Sequence, residues 1–177
     1  DDQIGQIEWI ERGRQFQPHA AAQFQFKENL VLEPGGFITD KLGRYGCSPD
    51  YGVKGKQEGV EIKCPLPKQQ IESLLYGPGG DYKPQVQGQL MIAEFECVHW
   101  YSWHPRMPSK HVVTLRDEEY IATLKDLLLE FCDQLDAETE RARKLGAYVV
   151  MEGFTTPADR EYAEQAQPDP LQLIIPD

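Results

Sequence analysis

No apolar run in this sequence approaches the roughly 18 residues that would span a bilayer, and no secretory signal pattern opens it. A membrane protein and a signal-led secreted one are therefore not indicated. Cysteine is scarce: Cys47, Cys64, Cys97 and Cys132 stand far apart and form no CxxC pair. That spacing indicates neither a zinc motif nor a disulfide framework, and a reduced cytoplasmic setting follows as the default. Positive charge is in deficit, with 18 Lys and Arg against 29 Asp and Glu, a formal net charge of −11. Taken as a sum, this argues against broad nucleic-acid binding. It does not exclude a local basic or metal-loaded cleft. Internal repeats are lacking, and so is an initiator Met; the first residues already read as the inside of a helix, with Ile7, Ile10 and Phe16 on one face, so the chain is expected to be truncated at its N-terminus.

What remains is the composition of a soluble domain, 40% hydrophobic and 27% charged over 177 residues, long enough for one sizeable core. A helix is expected over about 7–27, with Gln17–Pro18 as a break or re-entry. "LVLEPGGFITD" reads as strand, turn, strand. "GVEIKCP" is a strand, "KQQIESLLYG" a short helix, and about 82–94 another helix. "CVHWYSWHP" reads as a central strand and "HVVTLR" as the next. A long helix capped by Asp117 carries Ile121, Leu124, Leu128, Phe131 and Leu135 as an apolar stripe, read as core packing. The tail, about 152–177, is rich in Pro, Asp and Gln and reads as an extended arm. The sum is an α/β fold with a central mixed β-sheet flanked by helices, one domain over 1–177.

Chemistry concentrates in "CSPDYGVKGKQEGVEIKCP", residues 47–65. Strand side chains alternate, so Val60, Ile62 and Cys64 share one face and Glu61 and Lys63 the other. Two carboxylates, Asp50 and Glu61, can share a divalent metal through hard oxygen ligands. A metal there activates water and offsets phosphoryl charge, and a neighbouring lysine orients the water or stabilises developing charge. E-x-K alone is a weak signal, because most copies are solvated strand faces. The preceding Ser-Pro-Asp and the following Cys-Pro sharpen it.

At these residues the sequence resembles the PD-(D/E)xK nucleases, and among them the phage recombination exonucleases typified by lambda exonuclease, the YqaJ-like group. "CSPD", "EIKCP" and "YKPQVQGQL" come in that group's order, and "HPRMPSKHVVTLRDEEYIATLKDLLLEFCDQLD" resembles its C-terminal half, so the likeness runs over about 11–145. The resemblance implies a restriction-endonuclease-like core and a Mg²⁺-dependent deoxyribonuclease, with Mn²⁺ as a substitute and two ions per site. It implies 5′-to-3′ degradation of linear double-stranded DNA for recombination by single-strand annealing, a homotrimeric ring, an annealing protein as partner, and a phage or prophage gene expressed in the bacterial cytoplasm. Residue by residue, it makes Asp50 and Glu61 the metal carboxylates and adds the Ile62 backbone carbonyl to the metal shell. Lys63 is placed beside the attacking water, and Gln85 closes the site from the following helix. Ser48, Tyr82 and Gln89 become DNA-side candidates, with turn capping and packing as their plainer roles; Gln89 lies one turn from Gln85 while Gln87 points elsewhere.

Two departures stand out. Gln17 occupies the position of a metal-binding Glu on the family's first helix, keeping its shape but losing its charge, which should weaken a second metal. The family's preceding helices, with an arginine that grips the 5′ phosphate, do not appear. The alternatives are another PD-(D/E)xK endonuclease, or a catalytically impaired DNA-binding or assembly module. His19, His99, His104 and His111 show no ligand spacing and read as packing or surface groups, Trp100 and Trp103 as core and edge aromatics, Arg106 as a contact to a neighbouring subunit or DNA or else a solvated loop residue, and Cys64 as core rather than nucleophile.

Overall fold

The computed structural model describes residues 2–145, with side chains from residue 11 onward. The expectation of an extended arm at about 152–177, and the side chains of Ile7 and Ile10, lie outside the described residues. The chain divides into two units, Asp1–Asp133 and Gln134–Asp177.

The first unit opens on helix α1, Asp2–Glu28, which runs unbroken through Pro18. Proline removes one helical hydrogen bond, to the carbonyl four residues earlier. Pro18 and Arg14 are both exposed, so water can take that carbonyl's free valence and the expected break does not occur. Strands β1 (Leu32–Pro34), β2 (Ile38–Thr39), β3 (Gly46–Cys47), β4 (Tyr51–Val53) and β5 (Glu58–Lys63) follow, then α2 (Pro67–Tyr76), a 3₁₀ turn at Gly80–Tyr82 and α3 (Lys83–Ile92). Strands β6 (Cys97–His104) and β7 (Met107–Leu115) lead into α4, Glu118–Lys144. Asp117 Oδ1 accepts the Tyr120 N–H at 3.1 Å, the N-terminal cap expected from sequence.

The main sheet has the order β1-β4-β5-β6-β7. Only β5 and β6 pair in parallel; the other neighbours are antiparallel, giving a mixed sheet. "LVLEPGGFITD" is not a hairpin: β1 pairs with β4, whereas β2 pairs with β3 in a separate two-stranded ribbon. The Pro-Gly-Gly segment carries the chain across the end of β4. A Cβ on Gly35 would sit 2.1 Å from the Pro49 carbonyl oxygen, so only glycine fits this crossing.

Alternation along β5 and β6 gives the sheet two buried faces. On one, Ala20, Ala21 and Phe24 of α1 pack on Val60, Ile62, Val53 and Tyr101. The small alanines let α1 lie close to β5, and full burial of Phe24 contributes about 1.5–3 kcal/mol. On the other face Val98 packs with Val86 and Leu90 of α3 and Ile121 of α4. The stripe read on α4 needs correction. Ile121 is buried, but Phe131 is 60% exposed and Cys132 takes the inward position beside it. In the second unit, the described part of α4 is charged, with Arg141–Glu138 and Lys144–Glu140 pairs along its surface. No helix among the described residues is long and apolar enough to cross a membrane.

Candidate active site

Strand β5 reaches farther than its neighbour β4. The two pair only at Tyr51–Val60 and Gly52–Gly59, so residues 61–63 present a free backbone edge on that side. Asp50, just before β4, fills it: Oδ2 accepts the Ile62 N–H at 2.7 Å. In an extended strand the N–H and C=O of one residue point to the same edge. The Ile62 carbonyl therefore faces the side on which Asp50 sits.

Glu61 and Lys63 project to the opposite face from Val60 and Ile62. Glu61 is 3% exposed, and a buried carboxylate is costly without partners. Three donors meet it. Lys63 Nζ lies 2.6 Å from Oε1, Gln85 Nε2 donates to Oε1 at 2.8 Å, and Gln89 Nε2 donates to Oε2 at 2.7 Å. Gln85 and Gln89 are one turn apart on α3, so a single helix face grips both oxygens. Gln85 also accepts from Lys63 Nζ at 3.3 Å. Gln87 turns away, donating to the Leu115 carbonyl and accepting the Asp117 N–H.

Gln17 enters from α1. It lies one turn before Ala20 and Ala21 on the face that packs against β5, and its Nε2 donates to Asp50 Oδ1 at 2.8 Å. Its amide thus presents a donor, not an oxygen, to the carboxylate. The Asp50 carboxyl is pushed up to about 6 by burial and by the charge of Glu61, against the lowering effects of the Ile62 N–H, Lys63 and Gln17. Cys64 packs at the edge of the α1-side core, and burial pushes its thiol up to about 11, which suits packing and not nucleophilic attack.

The candidates on the DNA side are less closely drawn in. The Tyr82 ring lies 5.0 Å from Lys63 Nζ and 5.9 Å from the Trp100 ring, beside the cluster but half-buried. Ser48 is exposed and donates to the Gly36 carbonyl at 2.9 Å, holding the loop ahead of Asp50 instead of bonding to the cluster. Trp100 is core; Trp103 packs against Phe16 at 6.0 Å. Sequence reading passed over Arg12, whose Nη2 donates to the Pro65 carbonyl at 3.3 Å and whose Nε is buried without a hydrogen-bond partner. Its place five residues before Gln17 was the available signal.

The donor set suits a hard divalent cation. Burial and the nearby Glu61 charge raise the proton affinity of Asp50, and a backbone carbonyl edge adjoins the two carboxylates. The Gln17 amide, donating to Asp50, adds no charged ligand to these carboxylates.

The profile of the YqaJ-like viral recombinase domain family matches residues 2–96, a span holding every residue of this cluster. Among solved structures, an alkaline exonuclease from Laribacter hongkongensis is similar at 25% identity and a TM-score of 0.71, over 89% of this chain and 75% of that one. The same exonuclease in complex with dAMP is similar at 28% identity and a TM-score of 0.73, over 78% and 74% of the two chains. A phage-related exonuclease from Haemophilus somnus shares the fold, at 14% identity, a TM-score of 0.57 and coverage of 74% and 73%. No curated protein matches the chain by sequence.

Proposed function

Because this chain belongs to the YqaJ-like viral recombinase domain family, we propose that it is a metal-dependent nuclease that degrades linear double-stranded DNA from the 5′ end, hydrolysing one phosphodiester after another. The observation that carries this reading is the meeting of Asp50, Glu61 and Lys63 at the projecting end of β5, with Glu61 held by Gln85 and Gln89. All of these groups lie within Asp1–Asp133, and one nuclease domain is proposed for the chain.

Magnesium, with manganese as a substitute, would be held by Asp50, Glu61 and the Ile62 carbonyl, and supplies a more acidic water and an offset to phosphoryl charge. Lys63 Nζ, 2.6 Å from Glu61 Oε1, would orient the attacking water and stabilise charge on the phosphoryl oxygens. The water oxygen would bond to phosphorus and give up a proton, the P–O3′ bond would break with O3′ taking up a proton from solvent, and a 5′-mononucleotide with a free 3′ hydroxyl would leave. The dAMP complex of the Laribacter exonuclease supports a product of this kind. Gln85 and Gln89 are positioning residues: they fix Glu61 and, through Gln85, the Lys63 ammonium. Ser48 and Tyr82 border the site where a phosphate backbone would pass. A single-strand annealing protein would take up the remaining 3′ strand, in the cytoplasm of a phage-infected or prophage-bearing bacterium. A ring of three chains around the duplex would reconcile a net charge of −11 with a cation-loaded interior.

The test compares 5′-labelled linear duplex with covalently closed circles in Mg²⁺. The expected result is early release of labelled mononucleotide from linear DNA, intact circles, and no cleavage with EDTA or with Asp50→Ala. Cutting of circles would make the protein an endonuclease. Undiminished degradation by Asp50→Ala would remove this site from the reaction. A second reading is favoured by the Gln17 amide on Asp50: a catalytically impaired DNA-binding module, which would retain linear duplex without cleaving it at any Mg²⁺ concentration.

A further inference from the structure

A second cluster of metal-ligating side chains stands at the other end of β5 and β6, away from Lys63. The parallel register sets Glu58 beside Cys97 and Val60 beside His99. One ligand atom from each of Glu58, Cys97 and His99 lies within 4.8 Å of the other two. Two of these atoms crowd a single nitrogen: His99 Nε2 is 3.0 Å from Glu58 Oε2 and 3.8 Å from Cys97 Sγ. The other ring nitrogen, His99 Nδ1, is 2.9 Å from His111 Nε2 on β7. His111 Nδ1 in turn is 3.2 Å from Glu28 Oε1, at the end of α1.

Three close gaps along Glu28, His111, His99 and Glu58 separate electronegative atoms, and each needs one hydrogen or cation between its two atoms. Two imidazoles with one N–H each would fill two of them; the third calls for an imidazolium proton or a bound cation, and a sulfur stands beside it. Lys56, 50% exposed, meets Glu58 from the solvent side, 3.3 Å from Oε1 and 3.5 Å from Oε2.

We infer that Glu58, Cys97 and His99 form a second cation site, separate from Asp50 and Glu61, that takes one zinc-class transition ion. A thiolate, an imidazole and a carboxylate are the ligands of such an ion, while Mg²⁺ prefers oxygen alone. With Zn–S about 2.3 Å and Zn–N about 2.0 Å, a tetrahedral ion separates S from N by about 3.5 Å, close to the spacing found. Water would complete the fourth position. The paired His111 and Glu28 supply the outer hydrogen bonds that orient a ligating histidine. Binding replaces the S–H proton of Cys97, which leaves to solvent, so charge balances. The ion would tie β5 to β6, and through His111 and Glu28 to β7 and α1.

The test uses the full chain, stripped with chelator and titrated with Co²⁺ and then Zn²⁺. One equivalent of Co²⁺ should give a thiolate-to-cobalt charge-transfer band. Excess Mg²⁺ should leave the band in place, and one equivalent of Zn²⁺ should abolish it. Cys97→Ser should remove the band and Cys64→Ser should retain it. His111→Gln should weaken Zn²⁺ binding about 10–100-fold. In the unaltered protein, one equivalent of Zn²⁺ should protect Cys97 from alkylation, read by peptide mass, whatever the folding of the variants. No band in the folded chain, a band that survives Cys97→Ser, or equal alkylation of Cys97 with and without Zn²⁺ would each overturn the proposal.

Discussion

Replacing Asp50 with Asn removes one charge from a place where burial and Glu61 disfavour it. The carboxyl rises from 3.8 to about 6 on folding, a little over two units, and each unit is worth about 1.4 kcal/mol. The native state therefore binds more protons than the unfolded chain between those two values. Stability from this group is present in full below the unfolded value, falls as pH rises towards 6, and above that the ionised group costs about 3 kcal/mol relative to acid. Asn matches the shape and still accepts the Ile62 N–H, while the Gln17 amide can turn to accept from the new NH₂. Urea denaturation in EDTA should give nearly equal stabilities for the two proteins near pH 4, with Asn ahead by about 2–3 kcal/mol at pH 8. Added Mg²⁺ should stabilise the Asp protein at pH 8 and leave the Asn variant unmoved. A stability difference that stays flat with pH, or an Asn variant that still gains from Mg²⁺, would refute both the burial of this charge and its place in the metal site.

Two further outcomes follow from the same cluster. Lys63→Ala should lower the cleavage rate by roughly 10²–10⁴-fold with little change in affinity for linear duplex, measured by single-turnover kinetics beside a binding titration; an equal loss in affinity with the chemical step intact would make Lys63 a phosphate clamp. Gln17→Glu should place a charged oxygen where the amide now donates to Asp50, raise activity at limiting Mg²⁺ and lower the half-maximal Mg²⁺ concentration, whereas superimposable metal curves would remove Gln17 from the site.

Local periodicity made much of this molecule legible in one dimension. Alternation along residues 60–64 set Glu61 and Lys63 against Val60 and Ile62, because a strand has a period of two and one of its faces must meet α1. The helical repeat put Gln85 and Gln89 on one face, and both now hold Glu61. Asp117 announced the start of α4. Each of these relations spans no more than a few residues, so backbone geometry alone determines it.

Pairing, burial and charge coupling were decided only in three dimensions. A Pro-Gly-Gly segment signals a change of direction but not the strand that will receive the chain, and β1 went to β4. Hydrophobicity favoured Phe131 over Cys132 as a core residue, yet the roll of α4 about its own axis buried the cysteine. Glu58, Cys97, His99 and His111 carry no ligand spacing in sequence; the parallel register of β5 with β6 and the antiparallel turn to β7 bring them together. Asp50's proton affinity likewise depends on its burial and on the closeness of Glu61, offset in part by the Gln17 hydrogen bond from α1. Residue types and their spacing specified which groups could do chemistry, and long-range packing specified which of them share a charge environment, because electrostatic energy depends on distance through space and on solvent access, and a sequence records neither.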